Sequence, residues 1–138
     1  MKSKKITVTI EIRKPIEEVW EVWNSPGDIQ KWNIPFEDWH CPSAENDLRE
    51  GMGFNYRMES LDGKEGFDYK GIYQKIIPMN RIETLQEDGR ESIIEFFSGD
   101  ENCLIQETFE PEAKTPLEVQ REFCRSVLNR FKEYVELK

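Results

Sequence analysis

The C-terminal segment constrains the fold of this chain more than any other. Leu117, Gln120, Phe123, Cys124, Val127, Leu128, Phe131, Tyr134 and Val135 recur at helical spacing and share one stripe. Thr115 has the chemistry of an N-cap, Pro116 fits the first helical position, and Glu118 falls at the third. The predicted helix, Thr115–Leu137, has about 22 residues and spans ~33 Å. That is long enough to cross a whole sheet, and a one-sided stripe has to be buried against one.

The sheet must come from the upstream residues. Ile6, Val8, Ile10 and Ile12 alternate with Thr7, Thr9, Glu11 and Arg13, the pattern of a half-buried strand. Pro15 opens a helix carrying Ile16, Val19, Trp20 and Trp23 on one face. Asn24-Ser25-Pro26-Gly27 ends it, and a short second helix is predicted over Asp28–Lys31. Trp32 to Pro42 is aromatic-rich and broken by Pro35, and Asn46 to Glu50 is turn-like. Phe54, Tyr56 and Met58 alternate with polar residues, Leu61-Asp62-Gly63 turns the chain, and Phe67, Tyr69, Gly71 and Tyr73 form one face of the returning strand. Arg81–Gln86, Glu91–Ser98 and Asn102–Glu110 read as three more strands, separated by Asp88-Gly89 and Gly99-Asp100. Strands at hairpin distances pair antiparallel. The fold class is therefore α+β: a curved antiparallel sheet of six or seven strands around a long C-terminal helix, with two short helices after the first strand. No linker, repeat or low-complexity stretch divides the chain, so residues 1–138 are expected to form one domain.

The charge balance bounds the partners. The net charge is −9, from 28 acidic and 19 basic residues. The Lys2–Lys5 cluster is short, and Arg121, Arg125 and Arg130 alternate with acids, so no patch suits nucleic acid or an anionic membrane. No apolar segment approaches the ~18 residues that span a bilayer, and no signal-peptide core is visible. Cys41, Cys103 and Cys124 are odd in number and widely spaced, which argues against a disulfide framework and for a reducing cytoplasm. The lone His40 supplies no histidine pair, so neither a metal nor a cofactor is expected.

Four Trp, four Tyr and eight Phe are more rings than a core of this size needs. Trp32, Trp39, Phe54, Tyr56, Phe67, Tyr69, Phe96 and Phe123 form either plain core or the wall of an apolar pocket. Glu107 sits between Ile105 and Phe109 on an apolar strand face, where a carboxylate is costly unless paired. Arg57 is its best partner by strand position, with Lys70 next. Glu107 then reads as a paired structural carboxylate or as a group orienting a polar ligand head. Asp68 and Glu59 read as solvated strand charges. His40 reads as a side chain hydrogen-bonded at the sheet edge, as a ligand contact, or as a catalytic group. Adjacent strand residues point to opposite faces, so His40 and Cys41 do not make a nucleophile–base pair.

The sequence resembles the single-domain homologues of the activator of heat-shock-protein-90 ATPase, within the START-like, birch-pollen-allergen-like helix-grip superfamily. The resemblance runs from about Ile6 to Glu136. It is carried by Pro15 with Val19-Trp20, Trp32-Asn33, Asp38-Trp39-His40-Cys41-Pro42, Ala44-Glu45-Asn46-Asp47-Leu48-Arg49, Tyr56-Arg57-Met58-Glu59, Gly66-Phe67-Asp68-Tyr69 with Gly71, and Glu107-Thr108-Phe109. It closes with Gln120 leading into Leu128, Phe131-Lys132 and Tyr134-Val135-Glu136. It implies the helix-grip fold with an apolar cavity under the last helix, and little about reaction or ligand.

Two departures stand out. Phe123-Cys124 replaces the Gly-Trp usual three residues after Gln120, and Glu50-Gly51-Met52-Gly53 stands where a Gly-Gly pair is usual. The first predicts a pocket displaced toward Cys124 and walled by Phe123, with Cys124 a buried inert thiol. The separate N-terminal domain of the eukaryotic chaperone activators is also missing, which weighs against a full co-chaperone role.

The leading expectation is a binding module, not an enzyme, for a small hydrophobic or amphipathic ligand. Trp32, Trp39, His40, Phe54, Tyr56, Met58, Phe67, Tyr69, Phe96, Glu107, Phe123, Cys124 and Val127 are its candidate cavity residues. The protein is expected as a monomer or homodimer. One alternative is a chaperone-associated protein-interaction domain, with a chaperone or other protein as partner. A second is a cyclase- or dehydratase-type enzyme using His40 with Glu107 or Tyr69.

Overall fold

The computed structural model describes residues 5–138, so the Lys2–Lys5 cluster lies, apart from Lys5, outside the described residues. In chain order the elements are β1 (Ile6–Ile12), α1 (Ile16–Asn24), α2 (Pro26–Trp32), β2 (Trp39–Asn46), β3 (Gly53–Ser60), β4 (Gly66–Ile77), β5 (Arg81–Gln86), β6 (Glu91–Ser98), β7 (Cys103–Phe109) and α3 (Leu117–Glu136). The strands form one antiparallel sheet in the order β1-β7-β6-β5-β4-β3-β2. The chain thus runs as a meander from β2 to β7 and returns to β1 at the far edge.

The alternation read from sequence fixes the inner face. Ile6, Val8 and Ile12 of β1 are buried, and their partners Phe109, Glu107 and Cys103 on β7 point the same way. The inward row continues through Ile94 and Phe96 of β6, which stand opposite Glu107 and Ile105. It reaches Phe54, Tyr56 and Met58 of β3, opposite Gly71, Tyr69 and Phe67 of β4. The helices cover this face. Val19 and Val22 of α1, Ile29 and Trp32 of α2, and Cys124, Leu128, Phe131 and Val135 of α3 are buried in one cluster with it. Lys138 Nζ bonds Asp28 Oδ1 at 2.9 Å, and the Tyr134 hydroxyl bonds the same carboxylate, tying the end of α3 to α2.

Three local expectations need correction. Trp39–Asn46 is a full strand, although Pro42 interrupts it. It is an edge strand with a register shift between His40 and Ser43, and both features accommodate a residue without an N–H. The second helix runs from Pro26 to Trp32 rather than from Asp28 to Lys31, because Pro26 starts it instead of ending α1. At α3, Pro116 is the N-cap and no side chain caps the helix; the Thr115 carbonyl instead accepts a bond from Gln120 Nε2 at 2.8 Å.

Gly71 is the one glycine whose missing side chain matters here. A Cβ at this position would lie 2.4 Å from the Leu85 carbonyl oxygen, so β4 approaches β5 more closely than any other residue allows. Gly71 falls between the inward rings of Tyr69 and Tyr73, just before the irregularity at Tyr73–Lys75.

Candidate functional site

α3 packs chiefly along β1 and does not reach β3 to β5 with comparable contact. The sheet curls away from the helix, and the space between them is a cavity of about 370 Å³. Its size lies within the range of about 300–1,000 Å³ typical of small-molecule sites.

One wall is aromatic. Phe54 lies 5.2 Å from Tyr56, 5.5 Å from Tyr69 and 5.4 Å from Tyr73 between ring centroids, and Tyr56 stacks on Tyr69 at 6.1 Å. Met58, Phe67, Ile82, Ile94 and Trp32 extend this wall. α3 supplies the opposite one through Val119, Phe123, Cys124 and Val127. Phe123, Cys124 and Val127 belong to the apolar stripe read from the sequence; Val119 does not.

Polar groups are few and grouped. Thr84 Oγ1 and Ser92 Oγ, opposite each other on β5 and β6, are 2.6 Å apart and buried. Tyr69 stands beside Ser92 and lies close enough to Glu107 to feel its charge. The Cys124 thiol lies beside Glu107, close enough to feel the charge of its carboxylate. At the other end, Tyr73 Oη is 3.4 Å from Asn46 Nδ2, which also bonds the Asn24 carbonyl at 2.9 Å. At the mouth, Gln120 receives the Glu112 N–H at 3.0 Å and donates to the Glu112 carbonyl at 3.0 Å, holding the β7–α3 loop against the helix.

Burial governs the ionisation of these groups. It raises Glu107 from an ordinary 4.5 to about 7, while the neighbouring Cys124 thiol pulls it down. Burial also drives the Cys124 thiol far upward, and the neighbouring Glu107 charge adds to this, so the thiol stays protonated and unreactive. Burial lifts Tyr56 and Tyr69 well above the usual phenol range.

Of the candidate cavity residues, Trp32, Phe54, Tyr56, Met58, Phe67, Tyr69, Glu107, Phe123, Cys124 and Val127 line the cavity. Three do not. Phe96 is covered by α1, with the Trp20 and Trp23 rings at 5.3 and 5.8 Å, and is core. Trp39 is one ring away, packed on Phe67 at 5.8 Å. His40 lies on the outer face opposite Glu59, with Nε2 4.0 Å from its carboxylate. Four strands separate His40 on β2 from Glu107 on β7, so the two cannot act together as acid and base on one substrate.

The expected partners of Glu107 are also corrected. Arg57 points outward to Glu59 at 2.9 Å and Asp68 at 3.7 Å, and Lys70 pairs with Glu87 at 3.2 Å. Arg57 occupies the opposite strand phase from Tyr56 and Met58 and so faces away from Glu107. Glu59 and Asp68 are accordingly not free solvated charges but members of this outer ion-pair cluster. Among the described residues, Glu107 is in no ion pair, and no group of three His, Cys, Asp or Glu side chains could hold a metal. Sequence reasoning missed Thr84, Ser92 and Tyr73 as site residues. The available signal was the same as for Glu107: a polar atom in the inward phase of a strand. No helix is long and apolar enough to cross a membrane.

A family model described as activator of Hsp90 ATPase homolog 1-like protein matches residues 13–136. Among solved structures, a protein described as AHSA1-like from Aeromonas hydrophila superposes with a TM-score of 0.87 at 34% identity, over 96% of this chain and 93% of that one. A protein from Cytophaga hutchinsonii gives a TM-score of 0.84 at 38% identity, over 96% and 92% of the two chains. A Chromobacterium violaceum protein at 19% identity shares the fold, with a TM-score of 0.86 over 97% and 99%. A search of curated proteins finds no match.

Proposed function

We propose that this chain, which belongs to the activator of Hsp90 ATPase homolog 1-like family, is a binding module that encloses one small amphipathic ligand between sheet and α3. The observation that carries this reading is the cavity: about 370 Å³, walled by rings and aliphatic side chains, with its polar atoms gathered in small clusters. A close-packed interior leaves few voids larger than a water molecule. An apolar space of this size is exposed to collapse unless an occupant or a rigid frame maintains it. The frame here is the stacked aromatic wall on β3 and β4. The apolar body of a ligand would lie against that wall, and its polar end would meet the group formed by Glu107, Tyr69, Ser92 and Thr84. Three buried, unpaired cysteines agree with a reducing cytoplasm as the working compartment.

The test is a fluorescence titration with N-phenyl-1-naphthylamine, a neutral apolar probe. The reading predicts saturable binding at one site per chain, with enhanced and blue-shifted emission. Emission that rises without saturating, or not at all, would contradict it.

One observation favours a second reading, the docking of a protein partner. Phe36, Leu117 and Val119 are 47, 48 and 53% exposed, and Phe36 packs edge-on against Phe123 at 5.6 Å beside the cavity mouth. A chaperone or another protein could cover this apolar rim. That reading alone predicts a wild-type protein that binds no apolar probe.

A further inference from the structure

We propose that the polar end of the ligand is a protonated amine, seated on the Glu107 carboxylate. The inference rests on the cavity reading above and names the chemical class that the cavity takes.

The carboxylate has acceptor capacity left over. Two oxygens offer about four lone-pair sites, and the neighbouring Cys124 thiol is only a weak donor. The nearby Tyr69 stands beside Ser92, whose hydroxyl is shared with Thr84 at 2.6 Å. No lysine or arginine pairs with Glu107 among the described residues. Folding thus leaves a carboxyl group facing an apolar space with its strongest possible partner missing. A group that enters this space has to donate, and a cation donates to a carboxylate about twice as strongly as a neutral group does.

The surrounding charges agree. The groups facing Glu107 are Tyr69 from β4, Cys124 from α3 and, toward the mouth, Arg90 from the β5–β6 turn and Glu112 from the β7–α3 loop. Ser92 and Ile94 of β6 and Val8 of β1 carry no charge. Arg90 also donates to Gln86 at 3.2 Å, and its charge is balanced by the Asp88 carboxylate at 2.7 Å. On α3, Arg121 bonds the Thr7 carbonyl and Arg125 bonds Glu122, both outside the cavity. The interior therefore presents uncompensated negative charge, and the net charge of −9 draws cations toward the mouth. Glu107 titrates near neutrality when the cavity is empty, so an ammonium group entering at neutral pH would displace the carboxyl proton and hold the ionised form.

The experiment is displacement of bound N-phenyl-1-naphthylamine by octylamine, octanol and octanoate, which share one apolar tail. At about pH 8 the amine is protonated, and octanoate and Glu107 are ionised. Octylamine should displace the probe at a concentration about tenfold or more below that of octanol, with octanoate weakest. Lowering the pH to about 5.5 should weaken octylamine at least about tenfold while leaving octanol unchanged. In Glu107→Gln, octylamine should lose its advantage over octanol as a competitor. The pH series uses the wild type alone, so it decides the matter even if that variant does not fold. Octanol matching octylamine in the wild type would overturn the amine while leaving the cavity reading standing, and so would octanoate competing best. A wild type that binds no probe would remove the cavity reading and this inference together.

Discussion

Cys124 on α3 and Glu107 on β7 line the same cavity as neighbours, a thiol from the long helix beside a carboxyl group from the sheet. It is the contact that neither residue's neighbours in sequence announce. Desolvation in the cavity wall makes Glu107 a pH-dependent element of stability. The group's folded value is about 7 against an ordinary 4.5, so the folded state holds a proton that the unfolded state has lost. Its contribution is fully present below about pH 4.5 and is lost as pH rises through about 7.

Glu107→Gln should remove that dependence. Between about pH 4 and pH 8, the variant should gain about 3 kcal/mol relative to wild type, as judged by urea midpoints. Titrating carboxylates elsewhere cancel in this comparison because both proteins carry them. An offset that stays constant across the range would mean that Glu107 is not desolvated.

Cys124→Trp places the ring usual in the family into the cavity wall, next to Phe123. Affinity for N-phenyl-1-naphthylamine should fall about tenfold or more. Stability should change by only ~1–3 kcal/mol, the range for overpacking. Unaltered affinity in a folded variant would show that position 124 does not border the bound probe.

The Thr84–Ser92 pair supplies a third prediction. Ser92→Ala leaves a buried hydroxyl without its 2.6 Å partner and should cost about 1–3 kcal/mol. Adding Thr84→Val should recover part of that loss, because two apolar groups need no hydrogen bond. Strict additivity in a double-mutant cycle would argue that the two hydroxyls are independently solvated.

Gly71→Ala tests the frame. Its Cβ would meet backbone, not a side chain that can swing away, so β4 and β5 have to separate. A loss of about 1–3 kcal/mol is expected from thermal melts, together with weaker probe binding because Tyr69 and Tyr73 flank the site. An alanine variant as stable as wild type would mean that the strands relax freely there.

Much of this architecture is visible in the sequence because burial imposes a period. β1 shows it in Ile6, Val8 and Ile12, β3 in Phe54, Tyr56 and Met58, and α3 in its full stripe. β2 was illegible as a strand because Pro42 and a register shift break the alternation over eight residues. The cavity wall was partly legible: inward phase identifies Tyr69, Glu107 and Phe123. Phase does not say which inward residues a helix covers. Phe96 points inward like the others, yet Trp20 and Trp23 of α1 close over it. His40 stands at the sheet edge opposite Glu59, as one of its readings had it, and only its place among the cavity residues is corrected. The partner of Glu107 depended on tertiary depth, and strand position alone pointed to Arg57 on the wrong face.

The central claim is that the space between sheet and α3 receives a ligand. Intermolecular nuclear Overhauser effects between N-phenyl-1-naphthylamine and methyl-labelled protein test it most directly. The account predicts contacts from the probe rings to the methyl groups of Met58, Ile82, Ile94 and Val127, which line the cavity from both sides. Contacts confined to the exposed Leu117, Leu61 or Leu137, with none to those four, would contradict it.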